Sequence, residues 1–184
     1  MPLDETLYRA YLSGDDDGLT ALMERYGNKL TFYLDGYLHD IHEAEDLMIE
    51  AFAYLIAKKP QIRDGGFRAY LYKSARHMAL RRLKKQRVQQ CFSLDEMEME
   101  AEARELVEQV VETAERERIL HACMEALHQE YREALFLIYF VGMSYAEAAT
   151  IMGKREKQVA NLIYRGKNAL RKCLEREGFS YAQQ

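Results

Sequence analysis

The chain has 184 residues, room for one large domain or two small ones, with 48% hydrophobic residues, 30% charged residues and a net charge of −4. That balance excludes a disordered chain, and no apolar run approaches the ~18 residues a membrane helix needs. With only 10 Gly and 2 Pro as punctuation, a strand-and-turn protein is excluded as well, and an all-α fold is expected.

The first predicted helix covers residues 3–13, with Leu3, Leu7, Ala10 and Tyr11 on one face. Gly14 to Gly18 breaks it and supplies a cap for the next. That second helix carries Leu19, Leu22, Met23, Tyr26, Leu30, Tyr33, Leu34 and Tyr37 at three- and four-residue spacing. A third runs from about Ile41 to Ala57, with Ala44, Leu47, Met48, Ala51, Phe52 and Leu55 inward, and Lys58-Lys59-Pro60 ends it. After a loop with Gly65-Gly66, a fourth helix starts near Phe67 and ends near Arg87. Residues 91–117 read as an extended acidic linker at first, with 101–117 as a solvated helix continuous with the element after it. From Arg118 the period returns in Ile119, Cys123, Ala126 and Leu127, then in Leu135, Ile138 and Tyr139. Ser144 and Glu147 form a capping box. Gly153 stops the short helix they start, and a longer helix with Val159, Ile163, Gly166 and Leu170 inward comes next. A short helix, a glycine turn and a longer basic helix make a helix-turn-helix pattern.

Charge is unevenly distributed. Residues 1–50 hold 12 acids and 3 bases, residues 67–90 hold 8 bases and no acid, residues 91–117 hold 10 acids and 2 bases, and residues 154–176 hold 8 bases and 2 acids. Two basic blocks flanking an acidic connector point to two surfaces that meet a polyanion. In the C-terminal block, Lys157, Ala160, Asn161, Tyr164 and Arg165 share the face opposite the core, with Lys154 and Arg155 at the helix start. Lys and Arg neutralise phosphate, while Asn161 has the geometry to pair with adenine and Tyr164 to pack on a base methyl. In the first block, aromatic residues alternate with bases, a pattern suited to single-stranded nucleic acid.

Four segments resemble one family, the bacterial RNA polymerase sigma factors of the extracytoplasmic-function type. Ala44-Glu45-Asp46-Leu47 with Glu50-Ala51-Phe52 is similar to the family's AEDL-x-QE-x-F helix. Phe67 to His77 is similar to its FRAWLYxIARN segment. Leu127 to Ala134 is similar to LPxxxREA, and Gly142 to Gly153 to the GLSYxEIAxxLG helix-turn-helix. The departures are local: Tyr70 stands for Trp, His77 for Asn, Arg81 for Asp, His128 for Pro and Gly166 for Ala.

The resemblance implies two helical domains, a sigma-2-like one over 1–90 and a sigma-4-like one over 118–184, joined by the linker 91–117. It implies core RNA polymerase and promoter DNA, as duplex and as non-template single strand, as partners, and an anti-sigma factor as a compatible third. Glu45, Asp46, Leu47 and Glu50 are the expected polymerase contacts. Arg63, Tyr70, Lys73, Arg76, His77, Arg81, Arg82, Lys84 and Lys85 are expected at the −10 element, whose unstacked base is captured near the loop 58–66. Lys154, Arg155, Lys157, Gln158, Ala160, Asn161, Tyr164, Arg165 and Lys167 are expected at the −35 element. No catalysis, cofactor or metal is expected.

Two rivals stand beside this. A regulator binding duplex DNA through 142–172 and dimerising through its N-terminal half explains the helix-turn-helix but not the first basic block. A metal site on His39, His42, Glu43 and Asp46 needs one helical face, and the turn at His39-Asp40 breaks it. Cys91, Cys123 and Cys173 are odd in number and in no CxxC pair, so reduced thiols are expected, not a disulfide or zinc framework. The acidic start, without the basic and apolar parts of a signal peptide, suggests a cytoplasmic protein.

Overall fold

The computed structural model describes residues 3–90 and 111–178, with side chains over 3–86 and 118–178. Four helices make the N-terminal half: α1 (Asp4–Leu12), α2 (Asp16–Leu38), α3 (Ile41–Lys58) and α4 (Phe67–Gln90). Their starts follow from capping chemistry. Asp15 accepts a hydrogen bond from the Asp17 amide, and Asp40 accepts from the amides of His42 and Glu43. The first turn of α4 is held by α1, since the Phe67 amide donates to Glu5 Oε1 at 3.3 Å.

The expected apolar stripes meet in one core, where Leu22, Leu30, Leu34, Leu47, Phe52, Leu55, Phe67, Leu71 and Tyr72 are each at most 1% exposed. Burial of each such side chain contributes about 1.5–3 kcal/mol. The α1 face is rotated from the one expected: Leu3 is 71% exposed and Tyr8 is buried instead. The Tyr8 hydroxyl explains the rotation, because it donates to the Pro60 carbonyl at 3.0 Å and ties α1 to the end of α3. Gly18 lets α1 and α2 cross closely; a Cβ there would lie 2.3 Å from the Leu7 carbonyl oxygen.

The C-terminal half comprises α5 (Val111–Glu125), α6 (Gln129–Leu135), α7 (Tyr145–Met152) and α8 (Glu156–Arg176). Helix α6 continues as a π-helical turn over Phe136–Phe140, closed by a hydrogen bond from the Val141 amide to the Phe136 carbonyl at 3.1 Å. The wider turn shifts the register of the expected stripe: Leu137 is buried, while Tyr139 is 53% exposed. Gly166 is where α8 meets α6, since a Cβ there would lie 3.1–3.3 Å from Leu135 and Tyr131 atoms.

Cys123 and Cys173 are joined in a disulfide between α5 and α8, with Cα atoms 5.7 Å apart. This corrects the expectation of isolated thiols: the two lie 50 residues apart in sequence and are neighbours only through the packing of their helices. Cys91 and the linker as far as residue 110 lie outside the described residues, while α5 begins at Val111, inside the segment expected as a solvated helix.

The two halves pack on one another, α4 against α7 and α2 against α6. The contact is polar at its centre. Glu133, 5% exposed, accepts from Arg76 Nε at 2.8 Å and from the Tyr33 hydroxyl at 2.9 Å on one carboxylate oxygen. Burial, and next the Glu133 charge, pushes the Tyr33 hydroxyl well above its ordinary value. Burial pulls Arg76 down, but the neighbouring carboxylate more than offsets this and its net shift is upward. A second latch joins Arg68 Nη2 to Glu147 at 3.0 and 3.2 Å.

Candidate nucleic-acid interface

The helix-turn-helix is assembled from its caps. Ser144 Oγ accepts from the Glu147 amide at 3.2 Å, and Glu147 Oε2 accepts from the Ser144 amide at 2.8 Å, so α7 starts where the S-x-x-E spacing places it. Partial burial raises the Glu147 carboxyl, but hydrogen bonds from the Ser144 amide, Arg68 and the Ser144 hydroxyl outweigh it and hold it below the usual range. Gly153 ends α7 at φ 66°, in the left-handed region that favours glycine. Arg155 then precedes α8, where the Gln158 side chain accepts from the Arg155 amide at 2.8 Å.

Helix α8 has 21 residues, a rod of about 30 Å at the usual rise. Val159, Ile163 and Gly166 are buried against α6 and α7, and the opposite face presents Lys157, Ala160, Asn161, Tyr164 and Arg165 to solvent. Tyr164 is 70% exposed, the most open aromatic side chain among the described residues. Three of the expected contacts are otherwise engaged. Lys154 pairs with Glu130 at 2.7 Å, Gln158 caps α8, and Lys167 sits over the Tyr139 ring at 4.7 Å.

The basic block of α4 divides into two faces. Lys73, His77, Arg81, Lys84 and Lys85 are exposed. Arg68 and Arg76 point the other way, into Glu147 and Glu133 of the C-terminal half. Arg76, expected at the −10 element, is not on the open face in this arrangement: its side chain is 19% exposed and held by Glu133. Tyr70 is half-buried against the core, where burial and then Tyr54 push its hydroxyl above the ordinary value. The Tyr70 amide donates to the Gly66 carbonyl at 2.9 Å, so Tyr70 lies beside the loop before α4. Arg63 in that loop is exposed.

On α3, Glu45, Asp46 and Glu50 are exposed and Leu47 is not, being 1% exposed in the core. Leu47 is therefore a packing residue, as its place on the inward stripe of α3 predicts, and offers no exposed side chain for the polymerase contact that the resemblance implies. Glu50 pairs with Arg82 of α4 at 3.1 Å, so one acid of the α3 face neutralises one base of the first block. Ile49 and Ile56 are exposed on the same helix at 55% and 43%, an apolar component that the acidic pattern alone did not mark.

Two family models fit this chain, Sigma-70 region 2 over residues 22–88 and Sigma-70 region 4 over residues 117–170. The RNA polymerase sigma-H factor of Pseudomonas aeruginosa is 28% identical over 94% of this chain and 94% of its own length. The ECF RNA polymerase sigma factor SigW of Bacillus subtilis is 27% identical over 88% of this chain and 91% of its own. In fold, the chain is similar to the sigma factor RpoE in its complex with the anti-sigma factor NepR from Bartonella quintana, with TM-score 0.64, 21% identity and coverage of 85% and 96%. It is similar also to CnrH in complex with the cytosolic domain of CnrY, with TM-score 0.64, 22% identity and coverage of 94% and 97%.

An all-α chain with region 2 on a four-helix unit that carries a basic α4, and region 4 on a helix-turn-helix, is a transcription initiation factor that works with core RNA polymerase at promoter DNA. The chain belongs to the sigma-70 family, in its extracytoplasmic-function type. No helix among the described residues is long and apolar enough to cross a membrane.

Proposed function

We propose that the chain divides as 1–90, 91–117 and 118–184, and that its two folded parts read the two elements of a promoter. The observation that carries this is the outward face of α8. Asn161 and Tyr164 stand there between Lys157 and Arg165, behind a capped helix and a left-handed glycine, as entry into a major groove requires. That face, with Ala160 and Arg155, reads the −35 duplex. The outer face of α4, with Lys73, His77, Arg81, Lys84 and Lys85, holds strand backbones at the −10 element. Arg63 and Tyr70 flank the loop that takes an unstacked base, and Arg76 joins them once released from Glu133. Glu45, Asp46 and Glu50, with the exposed Ile49 and Ile56, meet core polymerase. The site of action is the cytoplasm, where the polymerase is.

An anti-sigma factor is a third partner in this reading. A cleft of about 500 Å³ between α2, α5 and α6, walled by Phe32, Tyr33, Leu120, Met124, Phe136 and Phe140, has the apolar lining an amphipathic helix seeks.

Run-off transcription with core polymerase from the source organism on its genomic fragments tests the reading. Discrete new starts sharing spaced upstream elements are expected. Tight duplex binding without polymerase, and no protein-dependent start, would overturn it in favour of a DNA-binding regulator.

A further inference from the structure

The rival ligand set weighed in the sequence, His39, His42, Glu43 and Asp46, does not assemble. His39 ends α2 in a left-handed conformation, and His42 and Glu43 lie in the first turn of α3. A different set does assemble at the edge of the cleft between the halves. Asp35 comes from α2, and His121 and Glu125 come from α5 at i and i+4, with one donor atom of each within 4.8 Å of the others.

The geometry suits a metal ion. Two ligands about 2.0–2.1 Å from a tetrahedral ion are about 3.4 Å apart. His121 Nδ1 and Glu125 Oε1 are 3.6 Å apart, already near that spacing. Asp35 offers an oxygen within 4.8 Å of both, and it must close in to complete the set. The donors are one imidazole and two carboxylates, a mixed set that fits zinc and its neighbours better than calcium or magnesium.

Asp35 is partly buried. Arg132 also lies near, its Nη1 donating to the Glu125 backbone carbonyl at 3.2 Å. With both acids ionised and Arg132 counted, the set carries one net negative charge.

We propose that Asp35, His121 and Glu125 form a binding site for a divalent first-row transition ion, with zinc the best-matched, and that the ion pins α5 to α2. Water takes the fourth position. Because the ligands come from both halves of the chain, the bound ion favours the arrangement in which they are packed together.

The test uses the full chain, stripped of metal and kept without reductant so that Cys123 and Cys173 stay bonded to each other. Zinc chloride is titrated against a chelating indicator, and small-angle scattering is recorded with and without zinc. One zinc per chain is expected. Asp35→Asn and His121→Gln should each weaken binding at least tenfold, and His42→Ala should leave it unchanged. Zinc should reduce the radius of gyration of the wild type and not that of His121→Gln. His121 is an exposed side chain, so its variant decides the matter if Asp35→Asn fails to fold, as circular dichroism would reveal. Zinc bound equally well by His121→Gln would overturn the site. Zinc bound with no change in radius or in Tm would overturn its role in joining the halves.

Discussion

Arg76 and Glu133, 57 positions apart, meet through a 2.8 Å hydrogen bond that closes the N-terminal half of the chain onto the C-terminal half. Glu133→Ala removes the acceptor for both Arg76 and the buried Tyr33 hydroxyl, and the guanidinium is left in a low-dielectric place with no counter-ion. The expected loss is about 3–5 kcal/mol of the closed arrangement, read as a lower Tm and a larger radius of gyration in solution scattering. Arg76→Met combined with Glu133→Leu should recover most of the loss. A single variant with unchanged Tm and radius would show that the pair does not hold the halves.

Selectivity separates Asn161 from Lys157. Asn161→Ala deletes a group able to read a base edge, so it should change the ranking of promoters in a panel. Lys157→Ala deletes a phosphate contact and should weaken all promoters alike, with a shallower salt dependence. Equal losses across the panel for both variants would remove the distinction.

Acid should loosen the start of α7. Glu147 has a folded-state carboxyl lowered below its usual 4.5, so its contribution is complete above that value and is lost as pH falls through the lowered one. Thermal unfolding followed between pH 7 and pH 3 should show a decline that is smaller in Glu147→Gln, which starts from a lower Tm at pH 7.

Gly18→Ala tests the crossing of α1 and α2. The new Cβ would meet the Leu7 backbone oxygen at 2.3 Å, and a backbone atom cannot rotate aside. A helix-propensity gain of about 1 kcal/mol is outweighed by displacement of α1, so Tm should drop by several degrees. Far-UV circular dichroism would report whether α1 is lost.

Reduction should destabilise the C-terminal half. Closing the chain between Cys123 and Cys173, 50 residues apart, is worth about 4 kcal/mol in the chain-entropy account. Dithiothreitol should lower the Tm of the wild type and leave Cys173→Ser unaffected. No response of the wild type would place the stability of α5 and α8 in their packing alone.

Much of this molecule is written in local chemistry. Asp15, Asp40, Ser144 and Gly153 start and stop helices through groups within a few residues of themselves, so their spacing predicts α2, α3 and α7 closely. The face of α8 is legible for the same reason, because Val159, Ile163 and Gly166 fix which side is buried. What periodicity does not carry is the identity of a distant partner. Arg76 sits in a basic run but faces Glu133. Tyr8 replaces Leu3 in the core because Pro60, 52 positions away, accepts its hydroxyl. Tyr139 turns outward because one π turn resets the register after Leu135. Cys123 with Cys173, and Asp35 with His121 and Glu125, become neighbours only when whole helices pack.

Glu147 serves two neighbours at once: Oε2 receives both the amide and the hydroxyl of Ser144, and Arg68 Nη2 reaches Oε1 at 3.0 Å and Oε2 at 3.2 Å. Were the halves to part, Arg68 would leave and the Ser144 bonds would stay, so a nucleic acid would meet the C-terminal half with α7 already capped. A polyanion that competes for Arg68 and Arg76 would draw the halves apart as it binds.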